Sequence, residues 1–138
     1  MWYPLVVILL CSHITTPFRL QGAAVKGTLS CNGKKMRNVK VKLYDLDRNP
    51  GDSDDLLDAK YTDKDGEFRV DGTTRELTDI EPVVYIFHNC DNGIRPCLRK
   101  LTLEVPKRYI HKGKVSNWYD LGQLDLAFIK HDERSCDE

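Results

Sequence analysis

Neither sign of charge is in excess in this chain of 138 residues: 21 Lys and Arg stand against 21 Asp and Glu. That balance argues against a general nucleic-acid binder, which needs a basic surplus to neutralise phosphates. Long apolar runs are missing as well. Leu5 to Cys11 is unbroken but too short to span a bilayer, and no later run is long enough to cross one. No Asn-x-Ser/Thr acceptor is present, so N-glycosylation is not expected. No repeat, low-complexity tract or linker divides the chain, and its length suits one domain. Apolar residues at a sustained helical period are absent too, which excludes a mainly α-helical fold.

At its start the chain carries an apolar run placed as in a secretory signal. Small residues at Gly22, Ala23 and Ala24 offer a cleavage site before Val25. The expectation is a signal peptide over 1–24 and a soluble, secreted, extracellular domain over 25–138. Arg19 leaves with the signal, giving 20 basic against 21 acidic side chains.

Cys11 leaves as well, so four cysteines remain: Cys31, Cys90, Cys97 and Cys136. An even number in an exported chain reads as two disulfides, with three possible connectivities. The favoured pairing joins Cys90 to Cys97, because Asn92-Gly93 and Pro96 turn the chain between them, and Cys31 to Cys136. Loop-closure entropy gives about 2.5 kcal/mol for the short bridge and about 4.8 for the long one.

The organising stretch is Val25 to Asp47. Val25, Gly27 and Leu29 alternate with Lys26, Thr28 and Ser30, and Val39, Val41 and Leu43 alternate with Lys40 and Lys42. Period-two alternation marks strands with one face on a core. Asn32-Gly33 supplies the positive φ angles of a tight reversal. Further strands are expected at Leu57 to Thr62, Glu67 to Val70, Pro82 to Cys90, Leu98 to Val105 and Leu121 to Ile129. Asp65-Gly66 reads as a hairpin turn between two of them. PVVYIFHNC, apolar on both faces, reads as a strand covered on both sides. Thr73 and Glu76 fit a capping box and one helical turn. Lys130 to Glu138 reads as a charged tail held by Cys136. Seven short strands predict an all-β, two-sheet, disulfide-stapled sandwich.

Charge is sorted along the chain. Lys34, Lys35, Arg37, Lys40 and Lys42 form a basic patch without an acid, suited to an anionic ligand or membrane headgroups, with Met36 placed to insert. Lysines on a strand face also simply block edge pairing. A second basic loop holds Lys107, Arg108, His111, Lys112 and Lys114, followed by Trp118 and Tyr119. It suits a membrane interface or protein partner, or packs onto the sandwich through Tyr109, Ile110 and Trp118. Asp45, Asp47 and Asn49 imitate a calcium loop, but Pro50 and Leu56 occupy the places that need Gly and Glu. A looser calcium site would draw on Asp52, Asp54 or Asp55.

His88, His111 and His131 are too scattered for zinc, and the cysteines lack metal spacing. Ser30, Ser53, Ser116 and Ser135 sit in no nucleophile elbow. His88 reads as a strand residue with a structural hydrogen bond. Neither catalysis, a metal nor a cofactor is expected.

Four motifs in order, VKGTLSCNGKK, TDKDGEF, HNC…C and VPKRYIHKG, resemble the nematode transthyretin-like family of small secreted proteins. The resemblance runs from Val25 to Cys136 and implies a transthyretin-type (prealbumin-like) sandwich. One family member is described as a bridge between phosphatidylserine on dying cells and a phagocyte receptor. By resemblance, this chain is expected to be an extracellular binding protein of that kind, touching anionic lipid headgroups and a cell-surface receptor. The alternative is a carrier of a small hydrophobic or hormone-like ligand, as in the tetramer channel of vertebrate transthyretin. Hydroxyisourate hydrolases share the fold but end in Tyr-Arg-Gly-Ser; the ending here is DLAFIKHDERSCDE, without that tetrapeptide.

Overall fold

The computed structural model describes residues 2–8, 18–47 and 53–137. Residues 9–17, which include Cys11, and residues 48–52, which include Asn49, Pro50 and Asp52, lie outside the described residues. Nine strands are present among those described: β1 (Arg19–Cys31), β2 (Lys34–Lys35), β3 (Lys40–Asp45), β4 (Asp55–Tyr61), β5 (Glu67–Glu76), β6 (Pro82–His88), β7 (Leu98–Glu104), β8 (Tyr119–Asp125) and β9 (Glu133–Ser135). The chain is all-β and forms two sheets, as the alternation predicts.

β1 is the axis of the first sheet. β5 runs antiparallel beside it, from Arg19 opposite Glu76 to Thr28 opposite Glu67. The Leu29 N–H donates to the Gly66 carbonyl at 2.8 Å, and the Leu29 carbonyl accepts from the Met36 N–H at 3.0 Å. An antiparallel residue directs both groups to one side, so β2 continues the line of β5. β8 flanks β1 in the parallel sense, from Val25 beside Tyr119 to Ser30 beside Asp125. The second sheet has the order β4-β3-β6-β7-β9, with every neighbour antiparallel.

Between the sheets lies a core of Val25, Leu29, Val41, Leu43, Phe68, Val70, Val84, Ile86, Leu101 and Leu126, with further apolar neighbours. All but Leu126 are the inward members of their strands' alternation, and Leu126 enters from a 3-10 turn. Full burial of a Leu, Ile or Val side chain stabilises by about 1.5–3 kcal/mol, and this set outweighs any single polar contact. β6 is buried on both faces. On its outer side the ammonium groups of Lys42 and Lys100 lie 5.5 and 5.9 Å from the centre of the Phe87 ring, so lysine side chains provide cover where no third layer exists. β4 and β5 approach closely: a Cβ on Gly72 would sit 2.3 Å from the Leu57 carbonyl oxygen. There the Asp71 N–H donates to an Asp58 carboxylate oxygen at 2.9 Å, so one open side of the sandwich is closed.

Several details depart from the sequence reading. Nine strands replace seven because the short β2 and β9 are added. Thr73 to Glu76 is strand, not a helical turn, because it pairs with Gly22 back to Arg19. The Asp65-Gly66 turn joins β4 to β5, which belong to different sheets, so it carries the chain across the sandwich instead of closing a hairpin. The last long strand stops at Asp125, whose carboxylate accepts the Ala127 N–H at 3.0 Å and starts a 3-10 turn over Leu126–Phe128. The tail is held by more than Cys136, since β9 pairs with β7 from Leu98 to Lys100.

The bridges form in the other sense as well: Cys31 joins Cys90 and Cys97 joins Cys136. The favoured pairs, Cys90–Cys97 and Cys31–Cys136, are not formed. Cys90 leaves β6 directly beside the end of β1, and the Leu98–Ser135 pairing brings the tail to Cys97. The spans of 59 and 39 residues correspond to about 4.2 and 3.9 kcal/mol of loop-closure entropy. β1 also starts six residues ahead of Val25, and Ala23 and Ala24 are fully buried in it.

Candidate functional site

The five basic residues of the 34–42 stretch do not share one surface. Lys34 and Lys35 stand exposed on β2 just after the reversal at Asn32-Gly33, whose φ angles are 50° and 82°. Lys35 Nζ donates to Gln123 Oε1 at 2.9 Å. Arg37 is exposed on the next turn. Met36 is half-buried against the core, so it is not placed to insert into anything. Lys40 and Lys42 lie on the outer face of the second sheet, and their ammonium groups stand 5.8 Å from the Tyr61 ring centre and 5.5 Å from that of Phe87.

The register adds a cation that sequence proximity could not show. Lys100 on β7 pairs with Phe87, which pairs with Lys40. Lys100 Nζ lies 4.0 Å from the Tyr85 ring centre, and Tyr85 packs 5.4 Å from Tyr44. Burial, and then nearby Asp54, push the Tyr85 hydroxyl up, so it stays neutral. The face is therefore a lattice of lysine stems and aromatic rings, with cation–π contacts at several points.

Lys40, Phe87 and Lys100 mark one end of the strands, which also carries the 31–35 and 89–97 loops. Acids at this end are largely turned to the chain's own donors. Asp125 accepts the N–H groups of Asn32 and Gly33 at 3.0 and 2.9 Å, and chiefly the Gly33 bond holds its carboxyl below the usual range. Asp63 accepts from the Asp65 and Glu67 N–H groups, and Asp91 from the Asn32 amide. Lys34, Lys35, Arg37, Arg95 and Lys130 are directed outward at the same end.

The opposite end is acidic. Asp45, Asp55 and Glu76 bring carboxylate oxygens within 4.8 Å of one another. Asp45 is buried and accepts the Glu81 N–H at 2.8 Å; burial above all raises its pKa. Burial, and then a hydrogen bond with Asp55, likewise raise that of Glu76. The donor set has the oxygen chemistry a divalent cation accepts. Of the described members of the looser calcium set, Asp55 joins this cluster, and Asp54 instead accepts the Asp47 N–H at 2.9 Å. Beside it Asp47, Asp79, Glu81 and Lys107 line an open cleft of about 230 Å³. A neighbouring cleft of about 310 Å³ is more apolar, lined by Leu46, Pro82, Val83, Val105 and Pro106.

The second basic loop packs onto the sandwich. Tyr109 meets Tyr119 at 4.7 Å between ring centres, and Arg69 lies 5.4 Å from the Trp118 ring. His88 has the structural hydrogen bond expected of it: its Nδ1 accepts the Cys90 N–H at 3.1 Å. Its Nε2 stands 3.6 Å from Asp132, and Asp132 pairs with Arg99 Nε at 2.6 Å. Burial first, then Arg99, lowers the His88 pKa to about 4, against the opposing pull of Asp132. Arg99 donates to the carbonyls of Cys90 and Ile129 at 2.7 and 2.9 Å, so this buried cluster anchors the tail. Sequence reasoning missed Arg99 and Asp132; the sole hint was an Arg at an inward strand position. Cys31 and Cys90 are joined to each other and so offer no thiolate.

The ordered strands, the β1–β2 reversal and the two bridges can now be set beside known proteins. The sequence model of the Transthyretin-like family matches residues 26–106. This chain belongs to the transthyretin-like family. Transthyretin-like protein 5 of Caenorhabditis elegans is 46% identical over 125 residues, covering 88% of this chain and 89% of that protein. Transthyretin-like protein 46 of the same organism is 45% identical over 126 residues, covering 90% and 70%. Transthyretin-like protein 33 is 36% identical over 132 residues, covering 94% and 92%. Among solved structures, a 9R-lipoxygenase from Cyanothece PCC8801 superposes with a TM-score of 0.40 at 19% identity, over 77% of this chain and 16% of that one, and carries no argument here. Two disulfides in a transthyretin-like chain fit an oxidising compartment. Among the described residues no helix is long and apolar enough to cross a membrane.

Proposed function

We propose that this transthyretin-like protein is a secreted, extracellular binding protein whose basic end engages an anionic, phosphatidylserine-bearing cell surface. In this reading it acts by binding, not catalysis, and leaves its other faces to a receptor, so that it bridges the two. The carrying observation is the sorting of charge along the strands: Lys34, Lys35, Arg37, Lys40 and Lys100 at one end, Asp45, Asp55, Glu76 and Glu81 at the other. Such a molecule is turned by the field of an anionic surface so that its basic end arrives first. Lysines near an anionic surface contribute about 1 kcal/mol each, enough together for reversible attachment.

Sedimentation with phosphatidylcholine vesicles, with and without phosphatidylserine, tests this. Binding only to the phosphatidylserine vesicles, weakened by salt and by replacing Lys34, Lys35, Arg37, Lys40 and Lys42 with Gln, is the expected result. Equal binding to neutral vesicles, or none to either, refutes it. The apolar cleft at Leu46, Val83 and Val105 favours a second reading, a carrier of a small hydrophobic ligand, which a ligand-dependent rise in Tm would reveal.

A further inference from the structure

The basic end also carries two large apolar side chains that nothing in the described structure covers. Ile94, at the tip of the 89–97 loop, is fully exposed, and Phe128 is 79% exposed. Neither position follows from a poorly formed loop. The 89–97 loop is fixed at both feet by separate disulfides, Cys90 to β1 and Cys97 to the tail. Inside it Asn92 is buried, donating its amide to the Cys97 carbonyl at 2.8 Å and accepting from Arg134. The Arg95 N–H donates to the Asn92 carbonyl at 3.3 Å, making a turn with Gly93 at φ 61° that places Ile94 on its outer corner. Phe128 ends the 3-10 turn that buries Leu126 and Ala127, so the turn itself forces Phe128 outward.

Three sets of hydrogen bonds place both side chains at the same end. Asp125, just before the 3-10 turn, holds the Asn32-Gly33 backbone, and Asn32 in turn holds Asp91. Arg99 bridges the Cys90 and Ile129 carbonyls. Exposed cations share this end: Arg95 follows Ile94 in the chain, Lys130 lies two residues past Phe128, and Lys34 and Lys35 follow the Asn32-Gly33 turn. Basic groups around protruding apolar side chains match the layering of a bilayer surface, with phosphates outside and acyl chains beneath. Because the bridges already fix the loop, little ordering cost remains on contact.

We propose that Ile94 and Phe128 insert into the acyl boundary of an anionic bilayer while the lysines and Arg95 lie among its headgroups. This rests on the anionic-surface reading above and assigns the deepest contact to the loop end, with Lys40 and Lys42 at its margin.

The test uses the secreted protein and phosphatidylcholine vesicles with and without phosphatidylserine. Ile94→Ser and Phe128→Ser are each expected to bind the anionic vesicles about tenfold more weakly, with an unchanged Tm. Ile94→Trp is expected to add fluorescence that shifts blue on anionic vesicles and is quenched by brominated acyl chains. If the parent protein binds and Lys→Gln variants lose binding, while the Ser variants bind unchanged and the new Trp is not quenched, insertion is refuted and the surface reading stands. If the parent protein binds no anionic vesicle, both fail together.

Discussion

Replacing Arg99 with Met tests whether the tail is anchored by charge or merely tethered by sulfur. Arg99 and Asp132 side chains are each 10% exposed and meet at 2.6 Å. The Met side chain fills the stem volume but leaves the Cys90 and Ile129 carbonyls without their donor, about 1–3 kcal/mol for each buried acceptor. It also strands the Asp132 carboxylate, and breaking a buried pair from one side costs about 3–5 kcal/mol. Because Asp132 stands near the surface and can draw in water, a total near 4 kcal/mol is expected. That is a fall of roughly 15 °C in Tm for a domain of this size. Asp132→Asn alone removes the ion pair but leaves Arg99 its bonds to both carbonyls, so about 1–2 kcal/mol is expected. Combining the two removes the stranded charge, and the double variant should be about 2 kcal/mol more stable than additivity allows. Urea unfolding with an unchanged m value measures all three. An Arg99→Met protein within 0.5 kcal/mol of the parent, or a strictly additive pair, would refute the anchoring argument.

Other outcomes follow from the same structure. His88 titrates near pH 4 in the fold against about 6.5 in an unfolded chain, so its contribution is complete above pH 6.5 and is lost as pH falls through 4. Up to roughly 3 kcal/mol is at stake, and His88→Asn should flatten the slope of unfolding free energy between those limits. Digestion ahead of aspartates separates Cys90 from Cys97, and non-reducing mass spectrometry should then find the Cys31 peptide attached to the Cys90 peptide and Cys97 attached to Cys136. A chain begun at Val25 loses the pairing of residues 19–24 with 71–76 and the buried Gln21, whose Oε1 accepts the Ile80 N–H at 3.1 Å. It should fail to unfold cooperatively where a chain begun at Phe18 does, as urea unfolding of the two will report.

The strands were legible because burying one face leaves an alternating trace, clearest in Val39, Val41 and Leu43. Sheet membership left no such trace. Asp65-Gly66 has the same turn chemistry whether it closes a hairpin or crosses between sheets, and only the pairing of distant strands decides. The bridges depend on which strand ends meet in space, so Asn92-Gly93 and Pro96 misdirected the reading by suggesting a local closure. Gly22 is small for a reason visible only in the fold: a Cβ on it would lie 2.5 Å from the Gly72 carbonyl oxygen. The basic residues of 34–42 were visible, but strand direction and the turn divide them. Arg95, Lys100 and Lys130, their neighbours in space, come from other segments. Glu133 to Ser135 has no apolar alternation at all and becomes a strand through the Cys136 bridge and the Arg99–Asp132 contact.

The place of β1 has a consequence for biogenesis. β1 separates β5 from β8, yet β8 is not synthesised until about ninety residues after β1 ends. Until then β1 has a vacant flank, with its backbone donors on that side bonded only to water. Pairing strands so distant in sequence is the slow search of such a topology. Completion of the first sheet is therefore paced by arrival of the final hundred-and-twenties, not by how quickly the β1–β2 hairpin forms.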